Sequence, residues 1–141
     1  MNLSSENPER HLNKKIIFLA EDDLDDRQLL LEALQILDQN IEVRTSKNGE
    51  EALRMLEETD DGELPSLIML DYNLPVLNGQ QVLEALTKFT RYRFVPKVVW
   101  STSRQFLFEQ ECLALGAKTF FVKPQDSAGF TVIARRLLEM V

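Results

Sequence analysis

Apolar residues along this chain fall into two alternating kinds of run. Lys15 to Ala20 reads KIIFLA, a short branched run that stops at Glu21, Asp22 and Asp23, as a strand buried on both faces does. Beyond it Leu30, Ala33, Leu34 and Leu37 recur at helical spacing, with Arg27, Gln28, Glu32 and Gln35 on the wet side. Ile41 to Thr45 is strand-like. Asn48 and Gly49 break it, and Ala52, Leu53 and Leu56 mark a short helix running into the polar stretch Glu57 to Glu63. Ser66 to Leu70 is another continuous apolar run, ending at Asp71. Turn residues Asn73, Pro75, Asn78 and Gly79 follow, then a third helical face of Val82, Leu83, Leu86 and Phe89. A fourth strand is predicted at Lys97 to Ser101. The helix through Phe108, Cys112 and Leu115 is expected to stop at Gly116. Thr119 to Val122 is the fifth strand, and Phe130, Ile133, Ala134, Leu137 and Val141 face inward from the last helix.

Five strands alternating with five helices call for a parallel sheet with right-handed crossovers and helices on both faces. The favoured small solution is an α/β, flavodoxin-like doubly wound sheet in the order 2-1-3-4-5. Its ligands bind outside the carboxyl ends of the strands, at the switch point beside the first and third.

Composition narrows the setting. At 141 residues, 44% hydrophobic and 28% charged, the chain fits one ordinary domain, taken as 14–141 behind a flexible N-terminal extension, 1–13. A formal charge of −7 argues against direct binding to nucleic acid or an anionic membrane, both of which need Lys and Arg against phosphate. Met1 to Leu12 lacks an apolar run of signal-peptide length, and no later run is long enough to cross a bilayer, so a cytoplasmic protein is expected. The single cysteine, Cys112, reads as a small buried residue and rules out a zinc site of the cysteine type.

The chemistry sits at the strand ends. Glu21, Asp22 and Asp23 follow the first strand, Asp71 closes the third, Ser101 and Thr102 close the fourth, and Lys123 and Pro124 follow the fifth. The proposed winding brings these to one crevice, where several carboxylates repel one another unless a cation sits among them. Mg²⁺ suits such a site, since it binds through one or two carboxylates plus waters and phosphate oxygens, and Mn²⁺ is an alternative. Asp71 is then a carboxylate nucleophile toward phosphorus, Lys123 a positive charge for the phosphoryl oxygens, and Ser101 a hydroxyl donor. A nucleophile that is already ionised needs no general base.

These residues carry a resemblance. IIFLAEDD, LIMLDYNLPVLNG, VVWSTS and TFFVKP resemble the four signature segments of response-regulator receiver domains, in that family's order and over roughly Lys15 to Val141. The resemblance implies Asp71 as phosphoacceptor and Glu21 and Asp22 as the acidic pair, Asp22 binding the metal directly and Glu21 through water. It implies that Asn73 offers its backbone carbonyl to the metal, that Ser101 turns toward the phosphoryl group, and that Lys123 is the family's lysine, with a cis peptide at Lys123–Pro124. Phe120 falls at the aromatic switch position, as Phe where many relatives have Tyr, so ring burial remains as its signal. The stretch Glu57 to Glu63 is longer and more acidic than in the smallest relatives, which resembles free-standing shuttle receivers. The implied partners are a sensor histidine kinase or a histidine phosphotransfer protein upstream and a protein target downstream. The chain reads as a stand-alone signalling protein that catalyses only its own phosphorylation and dephosphorylation.

Plainer readings apply to some residues. Asp25 and Asp26 are expected to serve the helix macrodipole rather than the site. His11, in a polar segment, is not expected to carry a phosphoryl group. Three consecutive large apolar residues, Phe106, Leu107 and Phe108, cannot share one helical face, so Phe106 or Leu107 is expected to be exposed as a partner surface. A homodimer through the fourth helix, fifth strand and fifth helix would use the same face. Two other functions compete. A haloacid-dehalogenase-like phosphatase wants a second carboxylate at Asn73, and a degenerate receiver acting as a binding module would have lost Asp71, the acidic pair or Lys123.

Overall fold

A computed structural model describes residues 15–141; the extension expected over 1–13, with His11, lies outside the described residues. The apolar runs form parallel strands β1 (Ile16–Ala20), β2 (Glu42–Ser46), β3 (Leu67–Asp71), β4 (Lys97–Ser101) and β5 (Thr119–Val122). The periodic segments form helices α1 (Leu24–Leu37), α2 (Gly49–Glu58), α3 (Gly79–Leu86), α4 (Phe106–Ala114) and α5 (Ser127–Leu138). The sheet order is β2-β1-β3-β4-β5, the flavodoxin-like winding expected from the alternation of elements.

Because successive side chains on a strand point to opposite faces, the sheet divides the core into two layers. Phe18, Ala20, Ile68, Leu70, Val99 and Phe120 pack on one side with Ala52 and Leu56 of α2, Val82, Leu83 and Leu86 of α3, and Cys112 of α4. Ile17, Leu19, Met69, Val98, Trp100 and Phe121 pack on the other with Leu30 and Leu34 of α1 and Phe130, Ile133, Ala134 and Leu137 of α5. Burial pushes the Cys112 thiol up to about 11, as befits a small core residue.

Polar residues just ahead of the helices set their starts. Asp23, Asn48, Asn78 and Asp126 each accept a backbone N–H from the first turn, and Asn78 and Gln81 form a reciprocal capping box. Helix α4 differs: Gln105 makes no such bond, and Cys112 is the one fully buried residue of the helix. At its other end, where the helix is expected to stop, Gly116 takes a φ of 103°, while Gly116 N–H bonds to Leu113 O and Ala117 N–H to Cys112 O.

Two details differ from the sequence reading. Helix α3 stops at Leu86, because the N–H groups of Lys88 and Phe89 bond three residues back, to Ala85 and Leu86, and tighten the chain out of the α-helical path. Phe89 therefore packs against the core from a turn. Val141 likewise packs against the core from beyond the end of α5.

The polar stretch after α2 is tied down from a distance. Arg91, in the one-turn 3-10 segment Thr90–Tyr92, donates to Leu56 O at 2.5 Å, Glu57 O at 2.7 Å and Thr59 O at 2.6 Å, and pairs with Asp61 at 3.1 Å. The Tyr92 hydroxyl also donates to Leu56 O. These are the carbonyls that a helix end leaves without partners. Replacing Arg91 with Met removes the donors while keeping the apolar stem, and should lower unfolding free energy by about 2 kcal/mol in urea titration.

Candidate functional site

Strand register brings the polar residues to one level. Ala20 pairs with Leu70 and Asp71 with Trp100, so Glu21 follows β1 beside Asp71, the last residue of β3. Trp100 pairs with Phe121 and Ser101 with Val122, and Lys123 N–H donates to Ser101 O at 2.7 Å. Glu21 N–H donates to Ser46 O at 3.0 Å and Tyr72 N–H to Trp100 O at 2.8 Å, which anchors the chain where it leaves the sheet.

At this edge the Lys123 ammonium lies 3.1 Å from Asp71 Oδ2, 2.9 Å from Glu21 Oε1 and 3.0 Å from Asp26 Oδ2. Its side chain is 7% exposed, that of Asp71 4% and that of Glu21 fully buried. Burial opposes the lysine's charge, but the hydrogen bonds and charges of Glu21, Asp71 and Asp26 outweigh it and hold the ammonium above the ordinary lysine range. Lys123 is therefore cationic throughout the physiological range. Glu21 is pushed up to about 8, first by burial and then by the negative charge of Asp71.

The other Asp71 oxygen, Oδ1, accepts the Asn73 backbone N–H at 3.0 Å, and Glu21 Oε2 accepts the Asp23 N–H at 2.9 Å. Carboxylate oxygens of Glu21, Asp22 and Asp71 lie within 4.8 Å of one another. Asp22 is solvent-exposed and leaves that side open to water. Glu21 Oε1 is fully buried and paired with the Lys123 ammonium at 2.9 Å. An all-oxygen set of two buried carboxylates and one exposed carboxylate on a wet side fits a hard divalent cation.

The structure therefore brings Glu21, Asp22, Asp71, Asn73 and Lys123 together as expected and places Ser101, 3% exposed, beside them at the end of β4. Phe120 is buried, its ring 6.4 Å from that of Tyr72, which stacks on Phe108 at 4.5 Å. Two expectations are corrected. The Lys123–Pro124 peptide is trans, the form ordinarily lower in energy for an X–Pro bond, and the lysine reaches Asp71 from it. Asp26 is not just a helix-dipole acid, since its carboxylate pairs with Lys123. Its position in the first turn of α1 gave no signal of this, because the contact spans 97 residues of chain.

Gly79, a turn former by sequence, also sets how closely α3 approaches the site. A Cβ there would sit 2.6 Å from Asp71 O and 3.0 Å from Tyr72 Cα, so α3 starts against the backbone of the central aspartate.

The family of the response regulator receiver domain matches residues 17–135. The chain belongs to this family. It is similar to a two-component response regulator of Arabidopsis thaliana, ARR7, 31% identical over 125 residues that make up 83% of this chain and 57% of that protein. A second from the same plant, ARR15, is 28% identical over 98% of this chain and 65% of its own length. The chain thus spans somewhat under two thirds of these relatives. Among solved structures, the phosphorylated cyanobacterial phytochrome response regulator RcpA is 32% identical with a TM-score of 0.79, over 89% of this chain and 91% of that one. The Mn²⁺-bound form of response regulator Rcp1 is 27% identical with a TM-score of 0.78, over 90% and 96%. Two-component signalling and a receiver-type acidic site follow from membership. Among the described residues no helix is long and apolar enough to cross a membrane.

Gly79→Ala should force the Asp71–Tyr72 backbone aside and lower unfolding free energy by about 1–3 kcal/mol, read by thermal or urea denaturation.

Proposed function

We propose that this receiver accepts a phosphoryl group on Asp71 from the phosphohistidine of a sensor kinase or a histidine phosphotransfer protein, and signals to a protein target by a change of conformation. The observation that carries this reading is the buried Asp71 carboxylate, with Lys123 on one oxygen and the Asn73 N–H on the other. In the reaction an oxygen of Asp71 attacks phosphorus, the phosphorus–nitrogen bond of the donor breaks, and the imidazole leaves with the electron pair. A carboxylate nucleophile carries no proton for a base to remove, and the Lys123 ammonium stands at its Oδ2. Lys123 stays against the transferred group and neutralises its oxygens, and the Ser101 hydroxyl donates to another of them.

Glu21, Asp22, Asp71 and the backbone carbonyl of Asn73 would hold Mg²⁺ or Mn²⁺, Glu21 through water. When bound, the ion supplies charge neutralisation for the phosphoryl oxygens. The proposal places this chemistry in the cytoplasm, consistent with the unpaired, buried Cys112.

For the output, phosphorylation draws Ser101 inward and shifts Phe120, which packs through Tyr72 to Phe108 of α4. Helix α4 has no side-chain cap at its start and buries only Cys112 fully, which leaves it free to respond. Phe106 and Leu107 on it are each 71% exposed and form the proposed partner surface, whether for a target or for a second copy through α4, β5 and α5.

Incubation with acetyl phosphate and Mg²⁺ should add one phosphoryl mass to the chain and none to Asp71→Asn, as read by intact mass spectrometry. No adduct on the unaltered chain, where another receiver is labelled in parallel, would overturn the proposal. Phe106→Glu or Leu107→Glu should leave that labelling intact and abolish a phosphorylation-dependent rise in sedimentation coefficient or target binding. Association that survives both changes rejects this surface.

A further inference from the structure

Lys123 has three carboxylate partners, and they are not equivalent. Glu21 and Asp71 belong to the acidic cluster that suits a cation, whereas Asp26 lies outside it. A divalent ion held by Glu21 and Asp71, or a phosphoryl group on Asp71, would compete with the lysine for those two carboxylates. Asp26 keeps its carboxylate for the ammonium alone.

Asp26 is also rigidly placed. Its backbone N–H donates to the Asp23 side chain at 3.0 Å, and the Asp23 N–H in turn donates to Glu21 Oε2 at 2.9 Å. With Lys123 touching both Glu21 and Asp26, the four residues close a ring of polar contacts between the start of α1 and the end of β5. The ammonium also stands over the Trp100 ring, 5.1 Å from its centroid, and that ring is fully buried in the α1/α5 layer.

We propose that Asp26 is a positioning residue, which holds the Lys123 ammonium against Asp71 and over the Trp100 ring and so keeps it aimed at the phosphoryl group during transfer to Asp71. This rests on the reading of Asp71 as phosphoacceptor. Asp26 itself touches no reacting atom and acts through the lysine.

The test uses the full chain with acetyl phosphate and Mg²⁺, comparing Asp26→Asn, Asp26→Glu, Lys123→Ala and the double variant Asp26→Asn/Lys123→Ala. Asp26→Asn should slow phosphorylation about three- to tenfold, as loss of one charge-assisted contact at a partly exposed carboxylate warrants. Asp26→Glu, which restores the charge, should recover most of that loss. In the Lys123→Ala background the Asn change should have no further effect. An equal slowing with and without the lysine would mark Asp26 as a structural residue and overturn the proposal, as would an unchanged rate in Asp26→Asn.

Trp100, the only tryptophan, supplies a readout that needs neither metal nor phosphodonor. Lys123→Ala defines the change in its emission when the ammonium is removed, and Asp26→Asn should reproduce part of that change in the same direction. Emission identical to that of the unaltered chain would overturn the proposal. If the unaltered chain takes no phosphoryl group, the proposed function fails, and this emission measurement still decides whether Asp26 holds Lys123.

Discussion

One buried cation organises the functional edge of this protein. Charges taken out of water are costly unless paired at close range, and removing one partner leaves the others uncompensated. The Lys123 ammonium meets carboxylates from the end of β1, the end of β3 and the first turn of α1, all within about 3 Å. It thereby fastens α1 to the carboxyl edge of the sheet, to which that helix is otherwise joined by apolar packing.

The parity of the strands sorts the site into two sides. Asp71, Trp100 and Lys123 share the alternation that faces α1 and α5, while Ser101 and Phe120 share the one that faces α2, α3 and α4. The charge pairing and the proposed switch therefore lie on opposite faces of one sheet and meet at its carboxyl edge. In the proposed phosphorylated form, the group on Asp71 stands at the edge where the two sides meet, and the ring contacts from Phe120 through Tyr72 to Phe108 lead from there to α4. On the other side, Lys123 stands 5.1 Å from the Trp100 ring, which makes an edge-on contact at 6.1 Å with Phe130 of α5.

The backbone around Asp71 shows how tightly this edge is built. The Asn73 N–H folds back onto Oδ1, and Gly79 lets the start of α3 lie against the Asp71 carbonyl. Between them Val76 sits at a φ of 71°, a region unfavourable for a β-branched residue, on an exposed stretch of the same loop. The loop takes this path because both of its ends are fixed, one by the aspartate and the other by the α3 cap.

Alternating apolar runs and helical repeats were enough to read strand count, helix count, sheet order and the convergence of Glu21, Asp22, Asp71, Ser101 and Lys123 from the chain alone. That works because periodicity is a local property and because a doubly wound parallel sheet of this size has few alternatives. The role of Asp26 was not legible, since an acid in the first turn of a helix looks the same whether it faces water or a lysine 97 residues away. The end of α3, the trans Lys123–Pro124 bond and the clamp of Arg91 on the last turn of α2 were hidden for the same reason. Local pattern determines which segments are strands and helices and which residues stand at their ends. The partner each charged side chain finds there is decided by tertiary packing, because pairing energies depend on distances of a few ångströms that sequence separation does not encode.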